Sequence, residues 1–240
     1  MNTSELLNSF VKRCENCLNL KCILQFGSST YSKKPHDMDI ALFSNDSVFT
    51  TKDYLLLFKL IREFEKKNKN VAFDIGGGDR KRKAKLKITI VPIGGMDLEI
   101  IKSGEASEDS FFFKNLAEDK NKKVLYGNNP LNFDINMSKL QIAEKLSIEV
   151  NYTLRKCLDD EKTKKGAIYH LFKTCLRVCL VNAGVPKKEE LLNLFKREYS
   201  QLKLPKHANS IIQNKIKQED FEQVLKFSED CLNFLRSNYR

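Results

Sequence analysis

Apolar residues follow two different patterns along the chain, and the pattern changes near residue 130. Before that point, apolar residues at helical spacing predict helices over 4–18 and 52–67. Short apolar segments between and after these helices predict strands over 22–26, 38–43, 71–75 and 86–90. Beyond the turn at Pro92–Gly95, apolar and polar residues alternate over 96–101, which predicts a further strand in a hairpin with 86–90.

After the turn cluster Tyr126–Pro130, the spacing of apolar residues is helical only. It predicts helices near 136–158, 166–183, 187–200 and 208–237, the last of them broken. We therefore predict an α+β fold in which a small mixed sheet is followed by an all-α helical bundle. The two domains would be residues 1–130 and 131–240.

The 240 residues are 41% hydrophobic and 30% charged, a balance that excludes a disordered or a fibrous chain. No segment approaches the ~18–20 consecutive apolar residues of a membrane span. Lys12 and Arg13 interrupt the apolar positions near the N-terminus, which argues against a signal peptide. We therefore expect a soluble, cytoplasmic protein with no membrane partner.

A formal net charge of +11 favours a polyanionic partner, because clustered cations attract phosphates. The densest basic run is Arg80–Lys87. This run can bind the phosphates of a nucleic acid or of a nucleoside triphosphate, or it can be the solvated face of a strand beside a loop. Both interpretations stay open at this stage.

The seven cysteines are an odd number, which does not suit a disulfide framework in a chain without a signal peptide. Cys14, Cys17 and Cys22 lie close in sequence, but no fourth Cys or His accompanies them. Because tetrahedral zinc requires four ligands, we interpret these three residues as small, buried apolar side chains.

Candidate chemistry is concentrated between the first two predicted strands. The first strand ends in Gly27-Ser28, and Asp37-Met38-Asp39 opens the second. Residues two apart in a strand share a face, so both carboxylates point the same way. Two carboxylates this close repel each other unless a cation lies between them, and an all-oxygen pair suits Mg²⁺.

The segment between the strands offers groups that bind phosphate. Gly27 allows close approach of the backbone, and Ser28 and Ser29 add hydroxyl and N–H donors at the first turn of a short helix. Lys33 and Lys34, which precede the carboxylate pair, are placed to meet a triphosphate.

A third carboxylate is needed if an acceptor oxygen is to be activated as well. Asp97, or Glu99 in the same register, would supply it if the predicted strand over 96–101 lies beside 38–43. Three carboxylates could then hold two metal ions, which lie ~3.5–4 Å apart in two-metal sites.

These segments resemble the DNA polymerase β-like nucleotidyltransferase superfamily. The resemblance rests on Phe26-Gly27-Ser28, then Asp37-Met38-Asp39-Ile40, and then Met96-Asp97-Leu98. The layout is most similar to the minimal and aminoglycoside-type nucleotidyltransferases, in which a small catalytic domain precedes a HEPN-like helical bundle. Val124–Gly127 resembles the segment that joins the two halves in those proteins.

The resemblance implies transfer of a nucleoside monophosphate from an NTP to a hydroxyl acceptor, with release of pyrophosphate and with two Mg²⁺ ions. By position, Gly27 and Ser28 would hold the triphosphate. Asp37 and Asp39 would bind both metals, and Asp97 would bind the catalytic metal and help to deprotonate the acceptor. Residues 1–130 would then be the catalytic domain, and residues 131–240 the substrate-binding domain.

Several alternatives remain open from the sequence. The acceptor can be a small hydroxylated molecule, a protein side chain or an RNA 3′ end, and the third carboxylate can be Glu99 rather than Asp97. A different class of function is a catalytically silent module that retains this fold and binds nucleotides or nucleic acid. Binding that depends steeply on salt, without Mg²⁺-dependent turnover of any NTP, would indicate that module.

Overall fold

The computed structural model describes residues 3–31, 37–76, 84–102, 110–156, 161–183 and 190–237. By contacts the chain divides into two compact units, Met1–Ile135 and Asn136–Arg240. The sequence analysis placed the corresponding boundary between residues 130 and 131.

The first unit contains all the strands that the structure describes. Its elements in chain order are α1 (Thr3–Cys17), β1 (Leu20–Phe26), β2 (Asp37–Ser44), α2 (Thr51–Lys67), β3 (Val71–Ile75), β4 (Leu86–Ile93), α3 (Gly95–Lys102), α4 (Ser110–Glu118) and β5 (Lys123–Gly127). A 3-10 turn over Gly27–Thr30 follows β1 directly.

Helix α2 shows how local sequence fixes an element in this unit. Thr50 caps its N-terminus: the side chain accepts from the Asp53 backbone N–H, and Asp53 accepts in return from the Thr50 N–H. This capping box satisfies N–H groups that have no partner inside the helix. The apolar residues of α2 form one buried stripe, which comprises Leu57, Leu60, Ile61 and Phe64.

The five strands form one mixed sheet in the order β3-β4-β2-β1-β5. Strand β2 pairs in parallel with β4 and antiparallel with β1. Helices α1 and α2 pack on one face, against residues such as Met38 and Ile88. Helices α3 and α4 contribute to the core on the other face, with Ala41 and Phe43 of β2. The sheet therefore contributes buried apolar residues to a core on each of its faces.

The strand predicted over 96–101 is wrong, because this segment forms helix α3. The buried side chains are Leu98 and Ile101, which are three residues apart and so share a helical face. The strand that lies beside β2 is instead β4, which contains the segment predicted as the first half of the hairpin. The hairpin with 86–90 is therefore absent, and the position of Asp97 changes with it.

Helices are the regular elements of the second unit, and no strand occurs among its described residues. Its α-helices are α5 (Lys139–Lys156), α6 (Glu161–Cys179), α7 (Leu191–Glu198), α8 (Ala208–Ile212) and α9 (Asp220–Ser237). The ring of Phe227 in α9 packs against Phe172 of α6 and Phe195 of α7, at centroid distances of 5.6 and 5.4 Å. Edge-to-face and tilted aromatic contacts of this kind tie three helices into one core.

The predicted fold class is confirmed: an α+β chain in which a small mixed sheet is followed by a helical unit. No helix in the described part of the chain has the length and apolar character that crossing a bilayer requires. The cytoplasmic location stays a prediction.

Candidate active site

The turn after β1 lies directly against the carboxylate of Asp39. Gly27 has a φ of +73°, in the left-handed region that side chains other than glycine rarely adopt. A Cβ atom at this position would lie 2.9 Å from Asp39 Oδ2. The backbone conformation therefore favours glycine at residue 27, and any larger residue there would displace the Asp39 carboxylate.

Asp37 and Asp39 project from the first residues of β2 on the same side of the sheet. Asp37 is exposed and Asp39 is partly buried, whereas Met38 between them is buried in the opposite core. Burial raises the pKa of Asp39 to about 6, and the nearby charge of Asp37 adds to the rise. The two acids therefore form a close pair whose like charges oppose each other.

Strand β4 supplies the neighbours of this pair. Its register places Lys87 beside Asp37 and Thr89 beside Asp39. The Thr89 side chain hydrogen-bonds to Asp39, which partly offsets the rise in the pKa of that carboxyl. Thr89 thus orients one carboxylate of the pair, a role that the sequence analysis did not identify.

A further acid contacts the turn from a distant part of the chain. The Gly27 N–H donates to Asp119 Oδ2 at 3.1 Å, and Asp119 Oδ1 accepts from the Asn121 N–H at 2.9 Å. Asp119 lies between α4 and β5, so this contact joins the turn to a segment 92 residues away. No motif in the sequence marks this residue, because its partner is a backbone amide.

The serines of the turn have separate surroundings. Ser29 is buried, and its hydroxyl accepts from the Gln25 side chain at 3.1 Å and donates to the Phe26 carbonyl at 3.3 Å. The predicted donation from the Ser29 hydroxyl to a phosphate would therefore require these internal bonds to break. The side chain of Ser28 and the whole of Lys33 and Lys34 lie outside the described residues.

Asp97 does not join the pair. Its Oδ2 accepts from the Gly94 N–H at 2.8 Å, so it caps the N-terminus of α3 from the third helical position. The segment before it is held by the loop after β2, since the Gly95 N–H donates to the Asp46 carbonyl. Asp97 therefore lies beyond the C-terminal end of β2, whereas the pair lies at its N-terminal end.

The separation is large on the scale of a metal site. Between the register pairs Asp39–Thr89 and Phe43–Ile93, both strands advance by four residues, which is about 13 Å at ~3.3 Å per residue. Glu99 does not replace Asp97, because it is exposed on α3 and pairs with Lys102 at 2.8 Å. The predicted convergence of the third carboxylate on Asp37 and Asp39 is thus not found.

Another acid lies in the same row of the sheet. Asp74 of β3 is in register with Thr89, which is in turn in register with Asp39. Asp74 is therefore two strands from Asp39, about 10 Å at ~4.8 Å per strand. Within the described residues, Asp74 does not complete a three-acid group with Asp37 and Asp39.

The donor set fits one Mg²⁺ ion better than two. Mg²⁺ is commonly bound by one or two carboxylates that are completed by water and substrate phosphates, and Asp37 and Asp39 are such a set. Within the described residues, no group of three or more His, Cys, Asp or Glu side chains is placed to hold a metal. The closeness of two carboxylates on one face of β2, with Asp39 partly buried, is the observation that favours a cation at this point.

The basic run is described only in part. Lys85 and Lys87 are exposed, and Leu86 between them is buried, as the predicted alternation requires. Residues 80–83 lie outside the described part of the chain. Lys87 on the exposed face of β4 therefore lies at the same end of the sheet as the carboxylate pair.

Searches of family models and of curated protein sequences find no match to this chain. Among solved structures, it is similar to spectinomycin adenyltransferase AAD(9) from Enterococcus faecialis, which was crystallised with ATP and spectinomycin. The alignment has a TM-score of 0.53 and 17% sequence identity, and it covers 98% of this chain and 100% of the adenyltransferase chain. The chain therefore shares its fold with this adenyltransferase. At this identity, the similarity establishes the fold alone.

Proposed function

We propose that this chain is an Mg²⁺-dependent nucleotidyltransferase that transfers a nucleoside monophosphate from an NTP to a hydroxyl acceptor and releases pyrophosphate. The observation that carries the proposal is the contact between the Gly27 turn and the Asp39 carboxylate. Asp37 lies two residues before Asp39, on the same face of β2. This arrangement supports the proposal because two oxygen ligands suited to a cation lie beside the turn that follows β1.

The chain's own residues have distinct parts in this proposal. Asp37 and Asp39 would hold Mg²⁺, which when bound neutralises charge on the triphosphate. Thr89 keeps the Asp39 carboxylate in one orientation. The Asp119 carboxylate accepts from the Gly27 N–H and so fixes the turn against the segment between α4 and β5. Catalysis of phosphoryl transfer depends largely on positioning of this kind.

The proposal does not assign the acceptor's proton to Asp97, because that residue caps α3. As the acceptor we favour a small hydroxylated molecule over a protein side chain or RNA. The support is the adenyltransferase of the same fold, whose structure contains ATP and spectinomycin.

The test is to incubate the full chain with each α-labelled NTP, Mg²⁺ and a panel of aminocyclitols and aminoglycosides, and to follow label in the acceptor. Asp37→Asn and Asp39→Asn should each abolish transfer while circular dichroism shows an unchanged fold. Asp97→Asn is the matched control and should retain transfer. Labelling that survives both changes in the pair would refute the assignment.

The catalytically silent module remains a second candidate, and a specific observation favours it. The strand beside β2 carries Lys87 and Thr89 where an acid would be needed to complete a three-carboxylate centre. Mg²⁺-dependent binding of ATP without transfer to any acceptor, including protein and RNA fractions of a lysate, would support this alternative.

A further inference from the structure

Lys87 occupies the place on β4 directly beside Asp37. The two strands are parallel and in register, so paired residues project to the same face of the sheet. Burial agrees with this, because Asp37 and Lys87 are exposed whereas Met38 and Ile88 are buried in the core on the other face. The ammonium of Lys87 therefore belongs to the same surface as the carboxylate pair.

This is the place from which a third carboxylate could share ions with Asp37 and Asp39. Neighbouring strands lie only ~4.8 Å apart, so an acid at residue 87 would reach the pair. A lysine has the opposite effects: it repels a second divalent cation and attracts phosphate oxygens. A lysine rather than an acid at residue 87 therefore changes which ligands the site can bind.

Lys87 has no competing partner in the described part of the chain. No ion pair involving it is found there, although Asp37 is its neighbour in register. Its long, exposed side chain can reach an anion that lies above the strand ends. Asp74 of β3 is in backbone register with Thr89, whereas the residue of β3 in register with Lys87 is Ala72.

We propose that Lys87 binds the triphosphate of the nucleotide and stands where a third carboxylate would otherwise be, so that the site holds one divalent ion rather than two. This inference rests on the proposed function, because it assumes that Asp37 and Asp39 hold the cation of a metal–nucleotide complex. It adds the residue that recognises the anionic part of that complex.

The proposal predicts two effects of opposite sign for Lys87→Ala. Without nucleotide, Mn²⁺ should bind about two- to fivefold more tightly, because a nearby positive charge has been removed. The ATP analogue AMPCPP with Mg²⁺ should bind about tenfold more weakly, because a charge-assisted hydrogen bond to phosphate has been lost. A surface lysine with no part in the site would change neither quantity.

Lys87→Glu extends the same test. It should weaken AMPCPP binding by more than Lys87→Ala does, and it should raise the number of Mn²⁺ ions bound per chain from one to two. Lys59→Ala is the matched control: Lys59 is exposed on α2, which packs on the other face of the sheet, and the change in net charge is the same.

Mn²⁺ binding to the full chain is measured by electron paramagnetic resonance, with and without AMPCPP, and AMPCPP affinity is measured by calorimetry. Results for Lys87→Ala that equal those for Lys59→Ala overturn the inference. So does a wild-type protein that binds two Mn²⁺ ions per chain with AMPCPP.

Asp39→Asn separates failure of this inference from failure of the proposed function. If Asp39→Asn leaves AMPCPP affinity unchanged, the nucleotide site is elsewhere, and both proposals fail. If Asp39→Asn abolishes binding but Lys87→Ala behaves like the control, the carboxylate pair is retained and only the role of Lys87 is rejected.

Discussion

The two ends of the β2–β4 strand pair use similar residues in different ways. At the C-terminal end, Asp97 accepts from the Gly94 N–H, and the Met96 N–H donates to the Ser47 carbonyl. At the N-terminal end, Asp37 and Asp39 lie together, and the charge of one raises the pKa of the other. An aspartate that satisfies a backbone amide stabilises the fold, whereas two neighbouring aspartates that repel each other are retained at a cost.

This difference explains which end is the candidate site. At the C-terminal end, hydrogen bonds engage the Asp97 carboxylate and the backbone at the start of α3. The N-terminal end keeps a repulsive pair beside a glycine turn, and a cation with bound phosphates would relieve that repulsion. Strain of this kind is more informative about function than the identity of the residues alone.

The largest expected effect contrasts Asp39→Asn with Asp97→Asn. Asp39→Asn should weaken Mg²⁺-dependent AMPCPP binding by more than about 100-fold, which exceeds the loss usually caused by changes outside the ligand set. Asp97→Asn should leave affinity unchanged, because Asn can still accept from the Gly94 N–H. Calorimetric titration of both variants measures the contrast.

Variants at Asp39 and at Asp97 should also differ in stability. Without metal, Asp39→Asn should raise the melting temperature, because it removes a partly buried charge that Asp37 repels. Asp97→Ala, which removes the cap entirely, should lower the free energy of unfolding by about 1 kcal/mol. A fall in the melting temperature of Asp39→Asn would show that its carboxylate stabilises the fold.

Two glycine substitutions give the next effect in size. In Gly27→Ala, the new methyl group meets Asp39 Oδ2 at 2.9 Å and the backbone stays at a positive φ, which costs about 1–2 kcal/mol. We expect AMPCPP affinity to fall at least tenfold, because the carboxylate must move.

Gly94→Ala is the counterpart at the other end. Its Cβ would lie 2.6 Å from the Ser47 carbonyl oxygen, a backbone atom that cannot move without the loop. We expect a lower melting temperature with unchanged affinity for AMPCPP in the fraction that remains folded. Equal losses of affinity in both variants would contradict the functional distinction between the two ends.

Thr89→Val should have a smaller effect. It removes the hydroxyl that bonds to Asp39 and retains the shape and the strand preference of the side chain. AMPCPP affinity should fall by roughly 10-fold, in the range typical of a group that orients a ligand. Thr89→Ser keeps the hydroxyl and should restore affinity; if Ser and Val behave alike, the hydrogen bond does not contribute.

The smallest effect is expected for Glu99→Gln. Lys102 lowers the pKa of Glu99, but both side chains are exposed and the pair is screened by solvent. Neither the melting temperature nor AMPCPP affinity should change measurably. Loss of nucleotide binding in this variant would return Glu99 to the list of candidate acids.

Most elements could be predicted from the sequence because their patterns were unambiguous. The stripe over α2 and the alternation over 86–90 have periods that fit only one type of structure. The strand prediction for 96–101 failed because the pattern is ambiguous. Met96, Leu98 and Ile100 alternate as in a strand, but Leu98 and Ile101 also share a face of a helix. The capping bond from Gly94 to Asp97 decides between these, and periodicity does not reveal it.

The candidate site was predictable only where its residues lie close in sequence. Gly27, Asp37 and Asp39 are joined by a short segment and by two adjacent strands, so their proximity follows from one local motif. The place of Lys87 beside the pair depends on the order of the strands, and the place of Asp119 depends on a contact between distant parts of the unit. Which strand lies beside β2 is a property of the whole sheet, and the hairpin assumption gave the wrong neighbour.

The hydrogen bond between Gly27 and Asp119 limits how far the polypeptide can be truncated. A fragment that stops after α3 would contain the entire Gly-Ser and Asp-x-Asp motif, yet it would lack both the acid that anchors Gly27 and the edge strand β5 that pairs with β1. Such a truncated polypeptide should not retain nucleotide in a pull-down on immobilised ATP. The smallest autonomous unit must therefore extend at least through Gly127, well past the last residue of the recognisable motif.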